Sequence, residues 1–464
     1  MPKLRDVCSH IRSKNAGPFW ITIDLTFPDR GTFDLHSTSP AIGPGAIAAM
    51  FDVEPGLVKH FLVPELAVVK ISYPRKRPQG GALERDMHGG QQYNRLLEID
   101  MGAPKPVPAI PVPVVDQHTL GGRGHFFVGG SYAGPPEGQT MAGQMFVEVL
   151  VPKEVRKPYP LVLLHGAGQT ATCWMQTPDG RKGWADYFVE QGYIVYLVDQ
   201  PMRGRSAWHP ADGPTRNYTA QAVEAQFTAC AQTTAWSEGK LHTQWPGSGP
   251  GRGRRGDPVF DAFYASMVET LVSNEDTAIR TQAAFAALLD KMGPAVLLTH
   301  SQGGSFGWAI ADARPGLVKA IVAIEPSGPP FNALEGRPRS GLKWGVSDIA
   351  LTYDPPVDDP AQLAVVAHRS EPHRVACERQ QEPARQLVNL QNVPVLVVTG
   401  EASYHAAYDH GTVDFLRQAG VQVDFIRLEE RGIHGNGHMM MLEANNLEIA
   451  ACLDDWIAKS TRGD

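Results

Sequence analysis

The sequence has no apolar run long enough to span a lipid bilayer, so a membrane-spanning protein is not expected. Its first residues contain no apolar segment of the kind found in secretory signals, and the cytoplasm is therefore the expected location. Positive charge is not in excess either, and the formal net charge of -7 argues against a nucleic-acid partner. Hydrophobic residues make up 42% and charged residues 20%, which is typical of folded globular domains rather than disordered chains.

Cysteine is scarce and irregularly spaced, which argues against a disulfide-stapled scaffold. The five cysteines are Cys8, Cys173, Cys230, Cys377 and Cys452. None of them has the spacing of a metal site, and no metal ion or organic cofactor is implied. With 464 residues the chain is long enough for more than one domain, each with its own core.

The most informative stretch is residues 297–304, which read LLTHSQGG. The apolar run 295–298 leads into it, and a helix-compatible run, 305–313, follows it. A strand, a sharp turn with a serine and a helix form a nucleophile elbow, in which the turn lifts the serine hydroxyl above the sheet. Ser301 is therefore the candidate nucleophile. Thr299 is larger than the usual glycine at its position, and an ordinary strand-to-helix turn is the alternative interpretation.

A second glycine-containing loop follows an earlier apolar strand, where residues 165–168 read HGAG. Such a loop lets backbone N–H groups turn toward a nucleophile, and together with the amide after the serine it can bind an oxyanion. We expect the two donors to be the amides of Ala167 and Gln302. A phosphate-binding loop is the rival interpretation, but the Gly-Lys-Ser/Thr of that motif does not follow.

The candidate general base lies on the loop between the last predicted strand and the last predicted helix. Two histidines of this loop compete, His434 and His438. His438 is the preferred base because Gly437 precedes it and the apolar start of the helix follows it. Both histidines satisfy the chain order serine, acid, histidine. A surface or structural histidine is the alternative in each case.

Two glutamates are candidates for the acid that orients the base. Glu325 ends the strand after the elbow helix, and Glu401 ends the next strand. Glu325 is preferred because Pro326 and Gly328 indicate a tight turn beside it. A charged residue at the end of an apolar strand can also be a plain solvated terminus.

The arrangement of apolar runs predicts two units joined by a linker. Residues 1–105 mix strands and short helices, which indicates a small α+β domain. Residues 106–114 are rich in proline and valine and are typical of an extended linker. In 115–464, apolar strands alternate with helices, which predicts an α/β fold with a mostly parallel sheet covered on both faces. Long insertions around 207–291 and 331–392 are expected to form a cap over the active end of the sheet.

The first unit resembles the AtuA-like domain, a family without an assigned function. The resemblance rests on LRDV at 4–7, IRSKNAGPF at 11–19 and GGQQ at 89–92, and it spans nearly the whole unit. It implies a ferredoxin-like fold and supplies no chemistry. We therefore expect an accessory or assembly domain, with which a homo-oligomer is compatible.

The second unit resembles the α/β-hydrolases, and within them a bacterial esterase subfamily with a Ser-Glu-His triad. Shared stretches include GRGHFFVGG at 122–130, HSQ at 300–302 and GNGHMMM at 435–441. The resemblance implies Ser301, Glu325 and His438 as the triad and places an oxyanion donor at Ala167. One member of the subfamily has an adjacent cysteine pair at 167–168, where this chain has alanine and glycine.

The expected activity is hydrolysis of a carboxylic ester through an acyl-enzyme, within the catabolism of a small organic compound. The partner is then a small-molecule ester or lactone, with no nucleic acid and no membrane involved. Two alternatives stay open. The same triad can cleave lactones or carbon–carbon bonds, and the hydrolase scaffold can serve as a catalytically silent binding or assembly protein.

Overall fold

The computed structural model describes residues 2–82, 84–101, 114–233, 236–332, 341–369 and 374–462. Its contacts divide the chain into two units, Met1–Val112 and Pro113–Asp464. The predicted linker, 106–114, lies outside the described residues except for its last residue. Each unit has a sheet and a core of its own, and they are described in turn.

The first unit contains a four-stranded antiparallel sheet in the order β1-β2-β4-β3. The strands are β1 (His10–Asn15), β2 (Trp20–Thr26), β3 (Lys59–Val63) and β4 (Val68–Pro74). The helices are α1 (Leu4–Val7), α2 (Arg30–His36) and α3 (Pro44–Phe51). The predicted α+β class is confirmed. The order of sheet strands and intervening helices is β-β-α-α-β-β, which differs from the β-α-β-β-α-β order of the ferredoxin-like fold implied by the resemblance.

One face of this sheet builds the core and the other carries charges. Ile23 and Ile71 are cross-strand neighbours and pack with helix residues such as Ile47. On the opposite face, the buried Asp24 accepts a hydrogen bond from Lys70 Nζ over 2.7 Å and is paired with Arg12 on the other side. Because successive side chains of a strand alternate between faces, β2 supplies both the core and this ion-pair cluster.

The second unit is organised around an eight-stranded sheet in the order β12-β11-β10-β9-β7-β8-β6-β5. These strands are β5 (Leu120–Ala133), β6 (Thr140–Pro152), β7 (Leu161–Leu164), β8 (Val195–Asp199), β9 (Ala295–His300), β10 (Val318–Ile324), β11 (Val395–Thr399) and β12 (Val423–Arg427). β7 to β12 are parallel, and β5 and β6 are antiparallel. The predicted α/β class with a mostly parallel sheet is confirmed.

Helices cover both faces of this sheet, which explains why its central strands are continuously apolar. The helices of the unit are α4 (Thr172–Met175), α5 (Trp184–Glu190), α6 (Ala220–Val223), α7 (Pro258–Ala265), α8 (Asn274–Met292), α9 (Gln302–Ala313), α10 (Asp409–Gln418) and α11 (Asn446–Ser460). α8, α9 and α10 contribute to the core on one face, and α5 and α11 to the core on the other. None of the helices in the described residues is long and apolar enough to cross a membrane.

The two predicted insertions contain short antiparallel strand pairs, and the first also contains helices. In the first, Thr215–Arg216 pairs with Thr270–Leu271. Its last part is helix α8, which packs in the same core cluster as the sheet and so belongs to the helix layer. In the second, short antiparallel pairs join 353–354 to 386–387 and 365–368 to 377–380.

Candidate active site

Ser301 stands at a sharp turn between β9 and α9, where the backbone is strained. Its φ of 53° and ψ of -119° are unusual for a residue with a side chain. Two hydrogen bonds hold this conformation, because Ser301 N donates to Ile324 O over 3.0 Å and Ser327 N donates to Ser301 O over 2.9 Å. The nucleophile candidate is thus tied to the end of β10, and its half-buried side chain borders a cavity.

The residues around the turn are small because the chain crowds there. A Cβ atom at Gly303 would lie 2.6 Å from the His165 carbonyl oxygen, and one at Gly304 would lie 2.5 Å from Pro326 Cβ. Thr299 occupies the position where a glycine is usual. It is accommodated because its hydroxyl donates to Val322 O over 3.3 Å, while its methyl group faces Gly307.

The preferred acid and the preferred base form a buried pair. His438 Nδ1 donates to Glu325 Oε2 over 2.5 Å. The same carboxylate accepts hydrogen bonds from Ser403 Oγ over 2.6 Å and from Gly400 N over 2.8 Å. Each Glu325 oxygen therefore has a partner, and the hydrogen bond to Nδ1 fixes the orientation of the imidazole.

The ring of His438 is enclosed by other rings. Phe227 stacks on it at 5.3 Å between centroids, and Tyr404 lies 5.0 Å away. His405 is nearly parallel to it, at 4.9 Å and 6°. His300, the residue before Ser301, donates from Nε2 to the His438 carbonyl oxygen over 3.0 Å. The loop of the candidate base is thus connected by a hydrogen bond to the turn of the candidate nucleophile.

Burial sets the ionisation of this pair. Burial, and then the nearby imidazoles of His300 and His405, hold the pKa of His438 well below its ordinary value. Burial and the charge of Asp409 raise the pKa of Glu325, although the hydrogen bonds from Ser403 and Gly400 act in the opposite direction. His438 is therefore neutral near pH 7, which is the form that can accept a proton.

The two alternative residues lie together, away from this pair. His434 Nδ1 is 3.3 Å from Glu401 Oε1, and Glu401 Oε2 accepts from Gly435 N over 2.8 Å. The His434 side chain is 61% exposed. Glu401 thus holds the outer part of the loop, whereas Glu325 contacts the histidine buried beneath it.

The predicted oxyanion donors border the same cavity as Ser301. This cavity has a volume of about 290 Å³, and Ala167, Ser301 and Gln302 all line it. The buried Arg203 donates to Gly166 O over 2.9 Å, which fixes the peptide that carries the Ala167 amide, and to the side-chain Oε1 of Gln302 over 2.7 Å. Burial lowers the pKa of Arg203 to about 10, so it remains cationic near neutral pH.

The structure also brings in residues that sequence reasoning missed. His405 lines the cavity, and its Nδ1 donates to Asp409 Oδ1 over 2.8 Å. Asp409 also accepts from Thr399 Oγ1 over 2.7 Å. A second buried imidazole–carboxylate pair therefore lies beside the first. The spacing of His405 and Asp409 places them one turn apart, but no sequence signal links them to His438.

Glu325, His405 and His438 are close enough to be considered as a metal site, since a ligand atom from each lies within 4.8 Å of the others. The geometry favours a hydrogen-bonded cluster instead. The two rings are parallel, so the lone pairs in their planes do not converge on one point. Both Glu325 oxygens and His405 Nδ1 are engaged in hydrogen bonds.

Comparison with known proteins identifies the class to which this fold and site belong. A model of the alpha/beta hydrolase family matches residues 161–451, and the chain belongs to that family. A model of a domain of unknown function (DUF4387) matches residues 4–100, the unit predicted to be AtuA-like. The predicted combination of an α/β-hydrolase with a separate first unit is confirmed.

Two individual proteins illustrate the similarity. The probable secreted lipase phiG of a fungal species (strain ATCC 74256) is 45% identical over 337 residues, which are 72% of this chain and 89% of the lipase. A novel bacterial esterase with an atomic-resolution structure is 26% identical, with a TM-score of 0.51 over 76% of this chain and 100% of the esterase. These relatives agree with the predicted esterase type of hydrolase.

Proposed function

We propose that the protein is a serine esterase that hydrolyses a small carboxylic ester through an acyl-enzyme. The observation that carries this proposal is the buried Glu325–His438 hydrogen bond of 2.5 Å, on a loop fastened to the strained turn of Ser301. An acid that orients a base, beside a serine whose proton the base can accept, is the constellation that activates a serine hydroxyl. The similarity to a lipase and to a bacterial esterase supports the same reaction class.

In the proposed mechanism Ser301 Oγ attacks the ester carbonyl carbon while His438 accepts the hydroxyl proton. Glu325 keeps the imidazole oriented and stabilises its protonated form. The amides of Ala167 and Gln302 donate to the developing oxyanion. The alcohol leaves with the proton held by His438, and water, activated by the same histidine, releases the acid.

The cavity favours a compact substrate with polar groups. At about 290 Å³ it is at the small end of the range for ligand pockets. Besides the proposed catalytic groups, polar side chains line it, among them Arg216, Asn274 and Asp348. A short ester that forms hydrogen bonds fits this lining better than a long aliphatic acyl chain. The first unit is assigned an accessory role, since all the proposed catalytic residues belong to the second.

The proposal is tested with a panel of p-nitrophenyl acetate, butyrate and palmitate and of small lactones, using Ser301→Ala as the control enzyme. We expect the highest kcat/KM on the short esters, and labelling of Ser301 by a fluorophosphonate probe that mass spectrometry locates. A preference for lactones would replace the ester assignment. An unlabelled Ser301 with no turnover of any substrate would instead favour the silent binding protein.

Glu325→Gln should lower kcat by a factor on the order of 10⁴, because glutamine cannot stabilise the imidazolium form of His438. Glu401→Gln is the matched control, since that glutamate contacts the outer His434. It should retain activity within a few-fold of the unchanged enzyme. The measurement is kcat on one activated ester with both variants confirmed to be folded. A crippled Glu401→Gln beside an active Glu325→Gln would assign the acid to the later strand.

The pH dependence of kcat/KM should extend further to acid than an ordinary histidine allows. Catalysis requires neutral His438, and burial lowers its pKa, so the imidazole stays neutral as the pH falls through the ordinary value of about 6.5. The acid limb of the profile is therefore expected below about pH 6.5. Because Glu325 and His438 are hydrogen-bonded, this limb reports the titration of the pair as one unit. A profile whose acid limb lies at or above this value would contradict the assignment of the buried histidine as the base.

A further inference from the structure

A second cavity, with a volume of about 360 Å³, lies in the first unit and has a basic lining. The cationic side chains around it are Arg75, Lys76, Arg77, Arg85 and Arg95, and the single carboxylate of the lining is Glu84. Three of these cations are adjacent in sequence, in a segment that by itself is typical of a solvated loop. The fold adds Arg85 and Arg95 from later in the chain, so the basic residues surround one space.

The remaining lining is apolar and aromatic. Phe51 and Tyr73 are buried and stack with centroids 4.2 Å apart. The Tyr73 hydroxyl donates to Gln92 Oε1 over 3.3 Å, and burial raises the pKa of Tyr73, so the phenol stays neutral. Ile21 completes this part of the lining. The cavity thus has a small apolar part, formed by the edges of these buried side chains, and a larger basic part suited to an anion.

Arg75 provides an observation independent of the overall charge. Its side chain is 4% exposed and is held by Glu84, Asn15 and the Asp86 carbonyl oxygen. Its Nε atom is buried and has no hydrogen-bond partner among the described residues. An unsatisfied buried donor is costly, more so on a charged group. Arg75 thus supplies the cavity lining with one guanidinium that is fixed in position, beside the exposed and more mobile cations.

The other cations are less fully neutralised by neighbours. Lys76 pairs with Asp52, and the Arg95 guanidinium lies 5.5 Å above the Phe51 ring. Arg77 and Arg85 are exposed and form no ion pair within the described parts of the chain. By contrast, the basic residues on the open face of the sheet surround the buried Asp24, which compensates part of their charge. The cavity therefore has an excess of positive charge.

We propose that this cavity of the first unit binds a small organic anion, whose carboxylate or phosphate group contacts the arginines and whose apolar part lies at the apolar end of the lining. Guanidinium groups bind both kinds of anion through paired hydrogen bonds. The site consists of residues of the first unit, whereas the proposed catalytic residues all belong to the second, and it gives the first unit a ligand-binding role.

The test is isothermal titration calorimetry of the full chain with benzoate, with phenyl phosphate and with benzyl alcohol. The two anions differ in their head group, and the alcohol has the same ring without charge. We expect saturable binding of at least one anion, no binding of benzyl alcohol, and weaker binding as ionic strength rises. Whichever anion binds more tightly identifies the head group. Absence of saturable binding for both anions would overturn the proposal.

The double variant Arg85→Gln/Arg95→Gln locates the site. Both side chains are exposed, so the fold should persist, and the dissociation constant should rise by about tenfold or more. Arg30→Gln is the matched control, because Arg30 is a 62% exposed arginine of the same unit outside the cavity lining. An unchanged dissociation constant in the double variant would place the anion elsewhere and refute the assignment. Esterase activity is measured alongside, and we expect it to be unchanged, which separates this outcome from a failure of the proposed function.

Discussion

Ser301→Ala should reduce kcat by a factor on the order of 10⁵ to 10⁶, leaving the residual rate that binding and oxyanion contacts provide. The expected loss is large because no acyl-enzyme can form without the hydroxyl. The fold should be retained, since alanine has the same Cβ atom at the strained φ of 53° and the backbone bonds to Ile324 and Ser327 do not involve the side chain. The measurement is single-turnover and steady-state hydrolysis of an activated ester, with a thermal melt to confirm folding.

Ser327→Ala is the matched control for the nucleophile. Ser327 lines the same cavity and is hydrogen-bonded to Ser301 through its backbone amide. Its replacement should leave kcat within a few-fold of the unchanged enzyme and should preserve fluorophosphonate labelling. If Ser301→Ala retained activity while Ser327→Ala lost it, the nucleophile would be reassigned to Ser327. The turn at Ser301 would then have only a structural role.

His438→Ala should lower kcat by a factor on the order of 10⁵, whereas His434→Ala should cost much less. The difference follows from their surroundings. His438 is buried against Glu325, and His434 is largely exposed and contacts Glu401. Without His438, no group accepts the Ser301 proton in the proposed mechanism. Both variants are compared by kcat/KM on one activated ester.

Removal of His438 also leaves the buried Glu325 without one of its partners, so loss of folding must be separated from loss of chemistry. His438→Asn serves this purpose, because its amide can still donate to Glu325 but cannot act as a base. We expect this variant to be folded and as inactive as His438→Ala. A folded and active His438→Asn beside an inactive His434→Ala would reverse the assignment of the base.

Much of the sheet was predictable because its signals are local. The apolar runs entering residues 165 and 301 are strands β7 and β9. In the first unit only a mixture of strands and short helices was predictable, since strands such as β1 and β3 have exposed faces and alternate weakly. The connectivity of the first unit could not be read from residues at all, since strand order depends on long-range pairing.

The candidate site could be predicted in part. The turn at Ser301 has a sequence signature. The choice between Glu325 and Glu401, however, depends on which of the two glutamates contacts His438 in the folded chain. The structure pairs each glutamate with a different histidine, a fact that chain order does not contain. His405 and Phe227 could not be predicted, because their proximity to His438 arises from separate segments that meet only in the folded chain.

Phe227 comes from the first insertion, and its ring stacks on His438. The same insertion contributes His242, which contacts Glu443, and Glu443 accepts from the backbone amide of Gly437, the residue before His438. A graft that replaced this insertion with one from a relative would therefore change the proton affinity of His438 together with the cavity lining, to which the insertion contributes Arg216 and Tyr218. Exchange of this insertion is therefore expected to alter substrate preference and the pH dependence of kcat/KM together.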